Sequence, residues 1–202
     1  TDERLSFTGF QGQYPGFRLL ELDAALDYST QGITTRVKAR ASGREALQFL
    51  QTGPLQLEYG ARFTDWASSE GEIDVLVQLQ WPLQQLSAPE VSIDADLHDV
   101  ALTLGALELS LSDINGRLSY HSRAGLRSAG LTLIHQDQLQ RATLASADGT
   151  ALRIAVLGRT PVAFWGERID DAFLRAQDVT VAHQTLIRID PGHTRIESRS
   201  DL

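Results

Sequence analysis

Residues 20–28 read Leu20-Glu21-Leu22-Asp23-Ala24-Ala25-Leu26-Asp27-Tyr28, and after Gln31-Gly32 the chain continues Ile33-Thr34-Thr35-Arg36-Val37-Lys38-Ala39. Apolar and polar side chains alternate with a period of two, the period at which a β-strand sends successive side chains to opposite faces. A surface helix needs its apolar positions three and four apart. Gln31-Gly32 supplies a turn, so the stretch reads as a hairpin with one wet face, carrying Glu21, Asp23, Arg36 and Lys38, and one dry face.

The same rhythm continues outward. Leu55, Leu57, Tyr59, Ala61 and Phe63 keep it, as do Ile73, Val75, Val77, Leu79 and Trp81 against Asp74, Gln78 and Gln80. Further strands are expected at Val91–Leu97, Leu107–Leu111, Ile114–Tyr120, Ala129–Ile134, Gln140–Ala145, Leu152–Leu157, Val179–Ala182, Leu186–Ile189 and Thr194–Glu197. Turn residues at Arg123-Ala124-Gly125, Ala147-Asp148-Gly149 and Asp190-Pro191-Gly192 separate neighbours, which makes consecutive strands mostly antiparallel. Gly43–Gln51 and Ile169–Ala176 are short helix candidates, with Asp170-Asp171 as a cap for the second. The fold class is therefore all-β. Its apolar face must be buried by a second sheet, by closure into a barrel, or by a curved sheet around an apolar ligand, and periodicity does not choose among them.

Composition excludes several kinds of chemistry. The 202 residues contain no Cys, so disulfides, Cys nucleophiles and Cys-containing metal sites are out. A formal charge of -8 argues against a nucleic-acid partner, which needs clustered Lys and Arg. The absence of Met reads as a processed product or a piece cut from a longer chain, and a fragment is the expectation. No apolar run approaches the ~20 residues that span a bilayer, and no cofactor is expected.

The chain also resembles itself. Leu22–Tyr28 followed by Gly32-Ile33 lies over Ile114–Tyr120 followed by Gly125-Leu126, and Val77–Leu83 lies over Val156–Val162 in the same order. Two repeat units, about 17–83 and 107–165, are expected within one continuous β segment, 1–202.

The stretch Leu107-Glu108-Leu109-Ser110-Leu111-Ser112-Asp113-Ile114-Asn115-Gly116-Arg117-Leu118-Ser119-Tyr120, then Gly125-Leu126-Arg127-Ser128-Ala129-Gly130-Leu131, resembles the repeated hairpin of the AsmA-like envelope proteins, most of all the YhdP type, with TamB a more distant relative. The marks are an apolar strand, an Asn-Gly pair, a Leu-x-Tyr step, a tight turn with Gly-Leu and a long return strand. The resemblance covers about 73–165, is weaker over 1–72 and weakest after 165. It implies an extended, twisted sheet curved into an apolar groove, with one or two short helices. It further implies a long periplasmic protein of a Gram-negative bacterium, held by an inner-membrane anchor, whose neighbouring β units conduct phospholipids between inner and outer membranes in support of the outer-membrane permeability barrier. The groove lining it implies is Leu22, Leu26, Tyr28, Leu57, Tyr59, Val75, Val77, Leu79, Leu109, Leu111, Leu118, Tyr120, Ile154 and Val156, in contact with phospholipid acyl chains. On that resemblance the anchor and most of the length of such a protein would lie outside these 202 residues.

Other sites carry weaker signals. Asp94, Asp96 and His98 share one face of a strand, a pattern hard cations favour, but Val91, Ile93, Ala95 and Leu97 between them make it read as a wet face. The remaining histidines have no metal-ligand spacing, and neither H-E-x-x-H nor G-x-S-x-G occurs. Gly9–Gly12 and Gly125–Gly130 read as turns. Tyr28, Tyr59, Tyr120 and Trp81 are in phase with the apolar positions and read as core rather than as a sugar platform, although Trp66, Trp165 and Tyr14 would complete one. A non-enzymatic lipid-groove segment is the leading expectation. An extracellular or periplasmic β-sandwich binding or adhesion module is the alternative, and a carbohydrate-active enzyme with paired carboxylates is a remote third.

Overall fold

The computed structural model describes residues 4–14, 16–28, 31–52, 66–68, 70–83, 88–105, 109–147, 151–168, 170–190 and 193–200. Its strands are β1 (Arg4–Tyr14), β2 (Phe17–Asp27), β3 (Gly32–Ser42), β4 (Trp66–Ser68), β5 (Glu72–Pro82), β6 (Glu90–Leu104), β7 (Leu109–His121), β8 (Gly125–His135), β9 (Gln138–Ala147), β10 (Ala151–Pro161), β11 (Thr180–Asp190) and β12 (His193–Ser200). Among the described residues, helix is confined to α1 (Gly43–Thr52), α2 (Val162–Arg168) and α3 (Ala172–Arg175). The strands form one open, curved, antiparallel sheet of 12 strands, in chain order except that β4 sits off the path. The long β6 makes room for both: Glu90–His98 pairs with β5, and Leu102–Leu104 pairs with β4 on the same side.

Register carries one face across the whole sheet, because side chains directly opposite each other project the same way. Phe10, Leu22, Val37, Val77, Ile93, Tyr120 and Leu126 form one such row from β1 to β8. Farther on, Leu144, Ile154, Ile187 and Ile196 continue an apolar row to β12. Side chains from β6 to β12 line a single cavity. Six strand spacings would be about 29 Å along a flat sheet, so the apolar face must be the concave one.

Helix α1 begins with a reciprocal cap. The Ser42 hydroxyl receives the Glu45 N–H at 3.3 Å, while the Glu45 carboxylate accepts from the Ser42 N–H at 3.0 Å and from its hydroxyl at 2.8 Å. These bonds hold the Glu45 carboxyl below its ordinary range. Gly43 is required there because a Cβ would lie 2.4 Å from Ser68 Oγ and 2.6 Å from the Glu70 carbonyl. From this start α1 sends Leu47 into the buried cluster of Tyr120, Leu152, Ile187 and Ile189, and sets Phe49 edge-on to Phe17 at 5.1 Å. The helix therefore rests on the concave face.

Several expected boundaries move, each for a physical reason. Leu107–Leu111 and Ile114–Tyr120 belong to one strand as far as they are described, broken in phase by a bulge where Asp113 has φ +48°. Val179–Ala182 and Leu186–Ile189 are likewise parts of β11, apart from Val179, which precedes it. Gly9–Gly12 is no turn but the bulged middle of β1, stapled by the Gly9 N–H to Asp23 Oδ1 at 3.0 Å. Gly125 and Gly130 open and interrupt β8. The second helical region holds two helices instead of one; α2 precedes the expected one, and Asp171 caps α3 by accepting from Phe173 N and Leu174 N. Leu55–Phe63 lies outside the described residues, as do Asp148, Gly149, Pro191 and Gly192.

The two segments that resemble each other form the β2–β3 and β7–β8 hairpins. Val77–Leu83 and Val156–Val162 finish on opposite edges of the sheet, since one run closes β5 beside the β6 start and the other closes β10 beside the β8–β9 turn.

Candidate functional site

The concave face divides into a closed part and an open part. In the closed part a cavity of ≈ 210 Å³ is walled by Leu97, Leu102 and Leu104 of β6 and by inward residues of β7 to β11, with Trp66 on one side and Phe164 and Trp165 of α2 at one end. Five of the expected lining residues, Leu109, Leu111, Leu118, Ile154 and Val156, meet here. Tyr120 is buried alongside, in the cluster with Leu152.

The open part lies over β1, β2, β3 and β5. Leu22, Leu26, Val75, Val77 and Leu79 are half-buried on the same concave face. Beside them Leu5, Phe7 and Phe10 of β1 are exposed, Phe7 by 50% and Phe10 by 55%. Trp81 is in phase with the apolar row yet 44% exposed, and Tyr28 stands in the β2–β3 turn at 51%. Neither is the core residue its phase predicts, because nothing among the described residues folds over this end of the sheet. Leu57 and Tyr59 lie outside the described residues.

From β3 to β7 the opposite, convex face is mostly polar and internally paired, whereas farther on it exposes Leu157 and Leu186. Arg40, Asp74, Asp96 and Arg117 stand opposite one another on β3, β5, β6 and β7. Arg40 donates to Asp74 at 2.7 and 3.0 Å, and Arg117 donates to Asp96 at 2.9 Å through each of two nitrogens. These hydrogen bonds hold both carboxyls below their ordinary range. Asp94 accepts from the Ser119 hydroxyl at 2.6 Å, and His98 Nε2 lies 3.5 Å from Asp74. Lys38 pairs with Glu21 farther along. Asp94, Asp96 and His98 thus share a face, as their spacing predicts, but each is committed to a neighbour of its own. Among the described residues no group of three or more acidic or His side chains is placed to hold a metal.

One feature of the cavity was not predicted. At the α2 end, uncharged polar side chains replace aliphatic ones at inward positions. Thr160 Oγ1 lies 2.8 Å from His183 Nε2, His183 Nδ1 lies 3.0 Å from Thr185 Oγ1, and Thr185 Oγ1 lies 2.9 Å from Ser198 Oγ, a chain of hydrogen bonds across β10, β11 and β12. Burial, then the neighbouring His135, push the His183 imidazole below its ordinary value. His135, on β8, sets its Nδ1 3.0 Å from the Ser110 carbonyl and its ring edge-on to Phe164 at 5.0 Å. Gln140, on β9, is buried against Gly158, where a Cβ would come within 2.6 Å of Gln140 Cγ. The signal was present in the sequence as polar residues in phase with apolar ones: His135 after Leu131 and Leu133, Gln140 before Ala142 and Leu144, His183 and Thr185 before Ile187 and Ile189.

Comparison of the chain with protein-family models, with curated proteins and with solved structures found no match. Among the described residues, no helix is long and apolar enough to cross a membrane.

Proposed function

We propose that this chain is a wall segment of an AsmA-like, YhdP-type lipid groove in the Gram-negative periplasm, which carries phospholipids between the two membranes and catalyses no reaction. The observation that carries the reading is the single sheet whose concave face is lined mainly by apolar side chains, while Leu5, Phe7 and Phe10 on its β1 side stand exposed. Large exposed apolar patches on a folded protein mark binding surfaces, and a trough of aliphatic side chains suits acyl chains. A sandwich-type binding or adhesion module would bury such a face under a second sheet; all the described strands belong to one. Neighbouring β units of a longer parent, held at the inner membrane, would extend the trough, and no nucleic-acid partner fits the charge of -8.

The test is photocrosslinking in phospholipid vesicles from a photoreactive residue at position 7, on the concave face, and from one at position 36, on the convex face. Phospholipid adducts are expected at position 7 and not at 36. Equal yields at both, or none at 7, would remove the support for a lipid path.

A further inference from the structure

The polar end of the cavity has a chemistry of its own. Among the described residues, none of the side chains lining the cavity is Lys, Arg, Asp or Glu. An anionic headgroup drawn inside would therefore lack a counter-charge, and burying an unpaired charge is among the costliest changes a binding site can accommodate. His183 does not supply one, since burial favours its neutral ring and both its nitrogens already face threonine hydroxyls.

Two polar atoms at this end remain to be satisfied. The Ser110 carbonyl can only accept, so His135 Nδ1 is the donor between them, which leaves Nε2 for a second partner. His135 is only 8% exposed and has no second partner among the described residues. Gln140, 3% exposed, donates its amide N–H to the Arg159 carbonyl at 3.4 Å, which leaves its own carbonyl oxygen without a partner among the described residues. Both side chains line the cavity, beside Thr160, His183 and Thr185, so a donor inside it can reach them, and each hydrogen bond made there adds to binding. The complementary ligand brings hydroxyl donors, no charge and a hydrocarbon chain.

We infer that the α2 end of the groove binds the uncharged, hydroxyl-bearing head of a single-chain lipid, a monoacylglycerol or long-chain alcohol, with His135 and Gln140 accepting its O–H groups and its chain lying along the aliphatic lining. This rests on the lipid-groove reading and places a second, uncharged lipid at the α2 end, apart from the phospholipid path proposed on the β1 side. Ionised fatty acids and phosphodiesters offer these two atoms acceptors where donors are needed. Gly158 is a positioning residue: it leaves the space in which the Gln140 side chain lies.

The experiment measures binding of monolaurin and of laurate to the delipidated chain at pH 8 by isothermal titration, for the wild type, Gln140→Leu and His135→Leu, with melting curves for each. Wild type is expected to bind monolaurin at least tenfold more tightly than laurate. Each variant that remains folded is expected to lose that preference through weaker monolaurin binding, with laurate unchanged. Gly158→Ala, which displaces Gln140 without removing a polar atom, is expected to lower the preference in the same direction. Equal or tighter binding of laurate by the wild type, or a preference that survives in the folded variants, overturns the inference. Phospholipid capture at position 7 alongside no monolaurin preference defeats the headgroup selection alone, whereas monolaurin selection with no phospholipid at position 7 defeats the transport reading alone.

Discussion

Two parts of one sheet, written in the same alternating code, end in different environments. On the β7 to β11 side, Leu152 is fully buried at 0% exposure, and Ile114, Leu131, Leu133, Ile187 and Ile189 are buried with it. On the β1 side, Phe7 and Phe10 hold the equivalent inward phase and are half exposed. The two differ in what lies over them. Curvature and α2 narrow the first around a partly open cavity, and Leu47 of α1 joins its core; among the described residues β1 and β2 receive α1 alone, through Glu45 beside Gly16 and Phe49 on Phe17. Alternation specifies which face is dry. What covers that face is decided by connections between strands, and here the long connection that carries α2 and α3 lies between β10 and β11.

The comparison is sharpened most by matched truncations. Leu152→Ala removes a side chain enclosed on all sides and is expected to cost about 2–5 kcal/mol, the range for buried Leu to Ala. Phe7→Ala is expected to cost less than about 1 kcal/mol, as for other substitutions at positions with little burial. Urea unfolding of the two variants checks this. Equal losses would mean that the β1 side is covered as thoroughly as the β10 side, and the division into open and closed parts would be wrong.

A smaller effect probes the border between the two. Val77 is half-buried, opposite Val37 on one side and Ile93 on the other. With water reaching the trough, Val77→Glu keeps its carboxylate hydrated and is expected to cost about 1 kcal/mol, while phospholipid adducts from position 7 fall because an acyl chain would have to desolvate the charge. In a dry interior the cost would be several kcal/mol and the variant would unfold. Melting and crosslinking measured together decide: an intact fold with undiminished adducts would show that Val77 lies off the lipid path.

The faces were legible in the sequence because they depend only on a local period. Val75, Val77 and Leu79 fall on one side of the sheet and Asp94 and Asp96 on the other, as counting by two requires. Where the count fails, a bulge has shifted it. Leu5 and Phe7 are odd and Phe10 even because β1 bulges between them, so that Arg4–Tyr14 shows no unbroken rhythm. The same happens at Asp113, which splits β7 into two apparent strands. In β11 it is His183 and Thr185, polar residues turned inward, that interrupt the apolar run. Helix α2, Val162–Arg168, is hidden by Val, Phe and Trp, residues that favour strands on propensity alone. The polar end of the cavity depends on register. His135, Gln140, Thr160 and His183 come from four strands, and their proximity follows from pairings such as Leu133 with Gln140 and Gly158 with His183, which no spacing within the chain records.

The least of these effects concerns protons, and it separates the two faces of the sheet. His183 is held below its ordinary value by burial and by His135. The unfolded chain, with His near 6.5, therefore binds more protons than the folded one as the pH falls past that value, and stability declines with it. On the convex face the sign is the same and the window lower. Asp74 and Asp96, depressed by their arginines, contribute stability present above the unfolded carboxylate value, about 3.9, and lost as pH falls through their folded values. These carboxylates are exposed enough for salt to screen them. Melting temperature followed from pH 8 to 3 is thus expected to show a shallow decline beginning near pH 6.5, insensitive to salt, and a second one below about pH 4 that moderate salt reduces. His183→Gln, which retains hydrogen-bonding capacity without a titrating ring, is expected to remove the first decline and leave the second. Hydrogen exchange at pH 5.5 places the change: protection is expected to fall in β10 and β11 before β2 and β3. Earlier loss from β2 and β3 would show that the acid-sensitive group lies outside the cavity.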